Sequence, residues 1–299
     1  MSRWQAYVNE AQQRLYEWAV YGNRRQRKIS LSDFKQSVLT SPEFRPVFFL
    51  STGRTGTQLF TQLLNQCPGL RAFHTPKPEL IQQGKVVYEA YRVANSDQRL
   101  LTDCLAGQLL LAARERYLYQ SFLHQKTYVE TNNRITFLAP AIRKIIPHTR
   151  FVFLYRHPGE FIRSGLRRRW YSGQTPHDIG RITNNVSTET EQRWNEWDSI
   201  QKIAWLWNET NRFAEDFLAS VDPSAYLRVN FSALTEGTIR SLLEFADGRL
   251  SDKNIAQAVN QPVNQQQDGH YPPYEAWPEA DKEKVRKLCR LAPNYGYTL

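Results

Sequence analysis

Two short stretches of this 299-residue chain carry residues whose types and spacing suit the binding of anions. The first is Ser51-Thr52-Gly53-Arg54-Thr55-Gly56-Thr57-Gln58, placed between the apolar run Val47-Phe48-Phe49-Leu50 and a helix-like stretch at 60–64. A strand, a Gly/Ser/Thr turn and a helix together form the common phosphate cradle of α/β proteins. Gly53 and Gly56 let the backbone turn and come close to a ligand. Thr55, Thr57 and Gln58 add donors at a helix start, where unpaired N–H groups already attract anions. Arg54 adds a forked, permanently charged donor. The stretch is not the triphosphate loop G-x-x-x-x-G-K-[ST], because it lacks Gly-Lys-Ser/Thr and its one cation precedes the second glycine.

The second stretch, FVFLYRHPGEFIRSG, covers 151–165. An apolar strand ends at Arg156, and Pro158 sits where a helix begins. Ser164 follows Arg156 by roughly two helical turns. Open α/β sheets bind ligands beyond the carboxyl ends of their strands. An Arg at that edge and a hydroxyl on the next helix can therefore grip one phosphate together.

The elements that must position these residues follow from periodicity. Residues 4–21 space Trp4, Tyr7, Val8, Ala11, Leu15 and Trp18 as an amphipathic helix, followed by the basic run Arg24-Arg25-Gln26-Arg27-Lys28. Strands are expected at 46–50, 127–130, 150–155 and 225–229. Helices are expected at 85–95, 97–120 and 135–146, and from 158 into Arg167-Arg168-Arg169-Trp170. One long helix is expected over about 189–220, after a loop at 173–188. Leu100, Leu101, Cys104, Leu105, Leu109 and Leu110 read as the apolar stripe of the helix at 97–120. Alternating strands and helices predict an α/β fold: a central, mostly parallel sheet flanked by helices. The main domain spans 46–299, preceded by a helical extension over 1–45.

Composition bounds the partners. Lys and Arg number 39 against 29 Asp and Glu, a formal charge of +10, and the pI is near 9.5. That favours anionic partners, an acidic acceptor among them, without choosing one. Hydrophobic residues make up 41% of the chain, yet the mean hydropathy is −0.60, and no apolar run reaches the ~20 residues of a membrane helix. The amino-terminus shows no apolar signal-like region. Cys67, Cys104 and Cys289 are scattered, so they read as buried thiols of a reducing, cytoplasmic setting, with no disulfide framework and no metal site.

Arg54-Thr55-Gly56-Thr57 followed, in order, by Arg156-His157-Pro158 … Ser164 resembles the sulfotransferases that use 3′-phosphoadenosine 5′-phosphosulfate (PAPS). Those enzymes have a [K/R]-[S/T]-G-T loop after the first strand. They also have an R-x-P motif with a Ser eight residues after its Arg. Tyr226-Leu227-Arg228-Val229-Asn230-Phe231 and the ending Tyr295-Gly296-Tyr297 resemble later segments of the family. The resemblance covers 46–299 and implies a P-loop-like fold, with PAPS as cosubstrate, PAP as product and no metal. Gly53, Arg54, Thr55, Gly56, Thr57 and Gln58 would hold the 5′-phosphosulfate, with Arg54 stabilising the leaving oxygen. Arg156 and Ser164 would hold the 3′-phosphate. It also implies an acceptor hydroxyl and a general base. The stretch AFHTPKPELI at 72–81 offers His74, favoured as a neutral imidazole near pH 7, and Glu79. Glu130 is a third candidate, with a structural pairing to Arg134 as its alternative.

Departures from the family are also visible. Gln58 replaces a Thr, and the R-K-G segment is missing from 260–274. Glu130-Thr131-Asn132 stands where many members carry K-T-P, so the role of the usual Lys falls to Lys77, Arg134 or Arg54. Arg163, Arg167, Arg168 and Arg169 either hold an acidic acceptor or form a solvated face. Trp194, Trp197, Trp205 and Trp207 read as core aromatics. Two other readings compete: a P-loop kinase, and a catalytically inactive binder of polyanions or nucleic acid on the same fold.

Overall fold

The computed structural model describes residues 29–173, 175, 177–185, 187–260 and 271–299. The amphipathic stretch 4–21 and most of the loop at 260–269 lie outside the described residues. The sheet is built from β1 (Val47–Ser51), β2 (Leu70–Phe73), β3 (Thr127–Glu130), β4 (Arg150–Tyr155) and β5 (Tyr226–Asn230). Their order is β2-β3-β1-β4-β5, and every neighbouring pair is parallel.

The apolar runs form central strands because both faces of the sheet are covered. Successive side chains point to opposite faces. Phe48 and Leu50 of β1 join Phe151 and Phe153 of β4 in one core cluster. Val47 and Phe49 join Val152 and Leu154 in the other. The first cluster is closed by α3 (Ser96–Leu123), α4 (Ala139–Ile145) and α7 (Ser199–Leu218), through Leu110, Ile142 and Ala214. The second is closed by α1 (Thr57–Leu64), α8 (Glu236–Phe245) and α9 (Asp252–Asn260), through Phe60, Leu242 and Ile255. Two further helices, α2 (Gln83–Val93) and α5 (Pro158–Leu166), border the carboxyl edge of the sheet, α6 is Thr188–Glu196, and α10 (Glu279–Leu288) packs on α7.

Three expectations need correction. The helix expected over 189–220 is two helices: Trp197 is extended (φ −70°, ψ 139°), and Asp198 restarts the chain with a capping box to Gln201. That reciprocal cap satisfies first-turn donors and makes a new start favourable. The first part of the stripe expected on α3 faces outward, while Leu110 is buried and Leu109 packs against the core as expected. Leu100, Leu101 and Leu105 are exposed, as is Cys104. The buried face runs through Ala106, Leu110, Arg114, Leu118 and Ser121. Finally, the turn 133–138 precedes α4 as a 3₁₀ segment, where Thr136 Oγ1 both accepts from Ser51 N and donates to Ser51 O at 3.0 Å. Among the described residues, no helix is long and apolar enough to cross a membrane.

Candidate active site

The chain leaves β1 toward β2 and β3 on one side, and β4 and β5 lie on the other. The carboxyl ends of β1 and β4 therefore flank the switch point, where such sheets bind ligands. Ser51 pairs with Leu154, so the loop after β1 and Arg156 after β4 emerge side by side. Arg156 Nη1 donates to the Arg54 carbonyl at 2.8 Å. Trp207 of α7 donates from Nε1 to the Arg156 carbonyl at 2.9 Å, tying this edge to the helix layer.

The loop is curled by left-handed residues: Gly53 (φ 81°), Arg54 (φ 58°) and Gly56 (φ 74°). For Arg54 this conformation costs about 1–3 kcal/mol, which surrounding contacts must offset. Its carbonyl is held by Arg156 and its Nε donates to Ser164 Oγ at 3.2 Å. A Cβ at Gly56 would overlap the Phe231 ring, so glycine there permits a close approach as well as the turn. The same ring lies under the Arg156 guanidinium, 5.4 Å from its centroid. Gly56 is the N-cap of α1, without a side-chain cap, and no acidic residue occupies the first turn. The first amides of the helix thus face the loop without intrahelical acceptors. Thr55 is fully buried, and its hydroxyl is without a hydrogen-bond partner among the described residues. Thr57 is also buried, and Gln58 is exposed at the start of α1.

Ser164 sits between two arginines. Its Oγ accepts from Arg54 Nε at 3.2 Å and from Arg168 Nη1 at 2.8 Å. A hydroxyl has two lone pairs and one proton, so its O–H remains to donate. Arg156 spends Nε on Glu160 at 2.7 Å and Nη1 on Arg54 O, which leaves Nη2. Arg168 is one of the four arginines that the sequence assigns either to an acidic acceptor or to a solvated face. Helix α5 ends at Leu166, Arg169 turns left-handed (φ 52°) and Trp170 folds into the core. Arg168, just past the C-cap Arg167, reaches back with Nη1 to Ser164 O and Oγ and lines the cavity with Arg54. Burial first, then repulsion from Arg54, Arg167, Arg156 and Arg181, pushes Arg168 down to about 10. Burial and then Arg156 lower Arg54 as well. Among the described residues, no carboxylate is a cause of the shift of Arg54 or of Arg168.

A cavity of about 410 Å³ opens at this edge, lined by Gly53, Arg54, His74, Glu79 and Arg168 among others. His74 Nδ1 lies 3.2 Å from Thr131 Oγ1, which lies 2.6 Å from Thr61 Oγ1, which donates to the Thr57 carbonyl at 2.9 Å. Read from its carbonyl end, one assignment of protons runs the length of the chain, and Thr131 Oγ1 also lies 3.4 Å from the Phe73 carbonyl as an alternative acceptor. Thr61 gives its proton to Thr57 O, Thr131 gives its own to Thr61, and Thr131 accepts from His74 Nδ1–H. The other ring nitrogen, Nε2, is then left as an acceptor. Burial lowers the His74 pKa most, Arg54 adds to this, and a Thr131 hydrogen bond and the charge of Glu79 oppose it. Glu79 lines the cavity, with Arg134 Nη2 at 3.8 Å.

Glu130 does not line this cavity. It is fully buried against Arg114, with Nε–Oε2 at 2.9 Å and Nη2–Oε1 at 3.0 Å. Tyr128 Oη and Asn132 Nδ2 donate to the same carboxylate at 2.7 and 3.1 Å. Its partner is thus Arg114, which the sequence reading did not consider, and neither Arg134 nor solvent. Lys77 also stays outside the cavity lining, whereas Arg134 and Arg54 are part of it. Trp194 is buried, and Trp197 and Trp205 pack on it at 5.7 and 5.2 Å. Among the described residues, no cluster of His, Cys, Asp or Glu has the makings of a metal site.

A model described as the sulfotransferase family matches residues 46–252. No curated protein matches the chain. Similar solved structures include the sulfotransferase domain from the curacin biosynthetic pathway, at 13% identity and TM-score 0.49 over 85% of this chain and 98% of that one. Sulfotransferase STF9 from Mycobacterium avium shares 15% identity with a TM-score of 0.48, over 89% and 80% of the two chains. The sulfotransferase domain of the Synechococcus PCC 7002 olefin synthase shares 16%, with a TM-score of 0.47 over 85% and 96%. The family match spans both anion-binding stretches and all five strands, and so the chain belongs to the sulfotransferase family.

Proposed function

We infer that this protein transfers the sulfuryl group of PAPS to an acceptor hydroxyl. The observation that carries this reading is the convergence of Arg54, Arg156, Arg168 and Ser164 at the switch point, on a loop whose buried Thr55 hydroxyl has no partner among the described residues. These residues fit the donor. The Gly53–Gln58 loop and the first turn of α1 offer the donors a phosphosulfate needs. Arg156 Nη2 and the free Ser164 O–H suit the 3′-phosphate.

His74 Nε2 would take the acceptor's proton. The acceptor oxygen then forms a new S–O bond, the S–O bond to the 5′-phosphate breaks, and its electron pair leaves with PAP. Arg54 and Arg168 would hold the charge that develops on the transferred group and the leaving oxygen. Arg168 thereby takes the role that the family gives to a Lys at the position of Glu130.

The test is ligand-dependent unfolding of the full chain with PAP, AMP, and ATP plus Mg²⁺. PAP at a hundredfold excess over its Kd should stabilise by about 2.7 kcal/mol, with much less from AMP. A larger effect from ATP plus Mg²⁺ would favour a kinase. Salt-sensitive polyanion binding without any PAP effect would favour an inactive binder.

A further inference from the structure

Away from the Arg54 loop, the cavity has a second wall made by the start of α2, the turn 133–138 and the segment 177–182. Two glycines bring these together. A Cβ at Gly84 would overlap the Arg134 carbonyl, and a Cβ at Gly180 would overlap the Ile81 carbonyl. The wall is thus packed backbone to backbone, and it carries Lys85, Arg134 and Arg181 into the cavity with Glu79 as the one carboxylate among the lining residues.

These cations keep donors unspent. Arg181 stacks on Trp170 at 4.0 Å, and its Nε is held by Asp178 at 2.7 Å. Lys85 approaches Glu89 only to 3.7 Å, and Arg134 approaches Glu79 only to 3.8 Å, both beyond a normal hydrogen bond. Arg134 Nη2 lies 3.1 Å from His177 Nδ1; since the guanidinium can only donate, that nitrogen accepts and Nε2–H is left as a further donor. Arg134 Nε is buried without a partner among the described residues. Burial outweighs Glu79 and, with Arg181, holds Arg134 below its usual pKa. Between these groups lie apolar side chains: Ile81, Phe137, Ile182 and Leu206.

We propose that the acceptor is an anionic alcohol, whose carboxylate or phosphate is held by Arg134 and Lys85 and whose apolar body rests on Phe137, Ile182 and Leu206. This rests on the sulfotransferase reading and specifies its substrate class. Glu79 faces the same space, and its charge opposes the anion; Lys85, Arg134 and Arg181 outnumber it among the lining residues, with Asp178 paired to Arg181 and Glu89 3.7 Å from Lys85 outside the lining. The hydroxyl end is left toward His74 and the anion toward α2.

The experiment is calorimetric titration of the full chain saturated with PAP, using 4-hydroxyphenylacetate, its neutral amide, and inorganic phosphate. The acid should bind at least about tenfold tighter than the amide, equivalent to about 1.4 kcal/mol. Lys85→Gln and Arg134→Gln should each erase that preference and leave PAP affinity unchanged. Lys85→Gln lies on the partly exposed face of α2 and guards against a folding defect in the other variant. Equal binding of acid and amide overturns the proposal, as does a preference that survives both variants, or no binding of the acid and phosphate. A wild-type chain that binds no PAP removes the donor reading instead. Phosphate titrated alone then decides: saturable binding lost in Arg134→Gln retains the anion site, and no binding overturns it.

Discussion

Glu130→Gln separates a structural carboxylate from a catalytic one at the position where the family departs most. In the native protein Arg114 and Glu130 are both 0% exposed. Burial alone would lower the Arg114 pKa, but the charge and hydrogen bonds of Glu130 outweigh it and the net shift is upward. The carboxylate accepts from Arg114 Nε and Nη2, Tyr128 Oη and Asn132 Nδ2. Glutamine has nearly the same shape, but it supplies one acceptor oxygen and turns an amide N–H₂ toward donors. It also leaves the Arg114 charge without a counter-ion. Breaking a buried pair this way costs about 3–5 kcal/mol, a large part of a typical stability of about 5–15 kcal/mol. At roughly 2–4 °C per kcal/mol for a domain of this size class, the midpoint should fall by about 10 °C. Urea unfolding measures the loss, and turnover per folded molecule below the new midpoint should stay within about threefold of wild type. The double variant Arg114→Met/Glu130→Met should recover part of the stability, because it removes the uncompensated charge but leaves the Tyr128 hydroxyl and the Asn132 amide without their shared acceptor. A Glu130→Gln protein of native stability that has lost turnover would refute the reasoning and restore Glu130 to the chemistry.

Other expectations follow from the same geometry. Arg156→Ala should weaken PAP binding by far more than AMP binding in parallel titrations; equal losses would remove its 3′-phosphate role. His74→Ala should abolish turnover with PAP affinity kept, while near-normal turnover would move the base to Glu79. Because burial lowers the His74 pKa, the neutral form persists on the acid side of the usual 6.5. The acidic limb of the turnover profile should therefore fall below that pH, and a limb above it would contradict the assignment. Thr131→Val breaks the hydroxyl chain that orients His74; turnover should drop by about 10²-fold or less with PAP affinity unchanged. Arg168→Gln should lower kcat more than it raises the KM for PAPS, and the reverse split would make Arg168 a binding residue only.

Much of the fold was legible in the residues because local patterns encode it. Apolar runs at 47–50 and 150–155 can only be strands buried on both faces. The alternation of strands and helices leaves a parallel sheet as the arrangement that covers them. The anion loop was legible for a similar reason: glycines, hydroxyls and an Arg between a strand and a helix have few other uses. The register of β1 against β4, by contrast, depends on contacts far apart in sequence. Only that register joins Arg54, Arg156 and Ser164.

Side-chain direction at element ends was not legible either. Arg168 reaches the cavity because it lies just past the end of α5 and is held by Ser164, and no period of 3.6 residues predicts where a helix stops and turns. Glu130 reads as a candidate base from its place at a strand end. The burial of Arg114 on a helix 28 residues long makes it an ion pair instead. Sequence alone determined most of the elements and which residues have the chemistry to bind an anion, since those follow from local patterning and side-chain type; β2 and the break at Trp197 were not among them. Tertiary structure decided which charges are neutralised within the core and which are left facing the cavity, since Coulomb energies depend on distance and burial between residues the chain itself holds far apart.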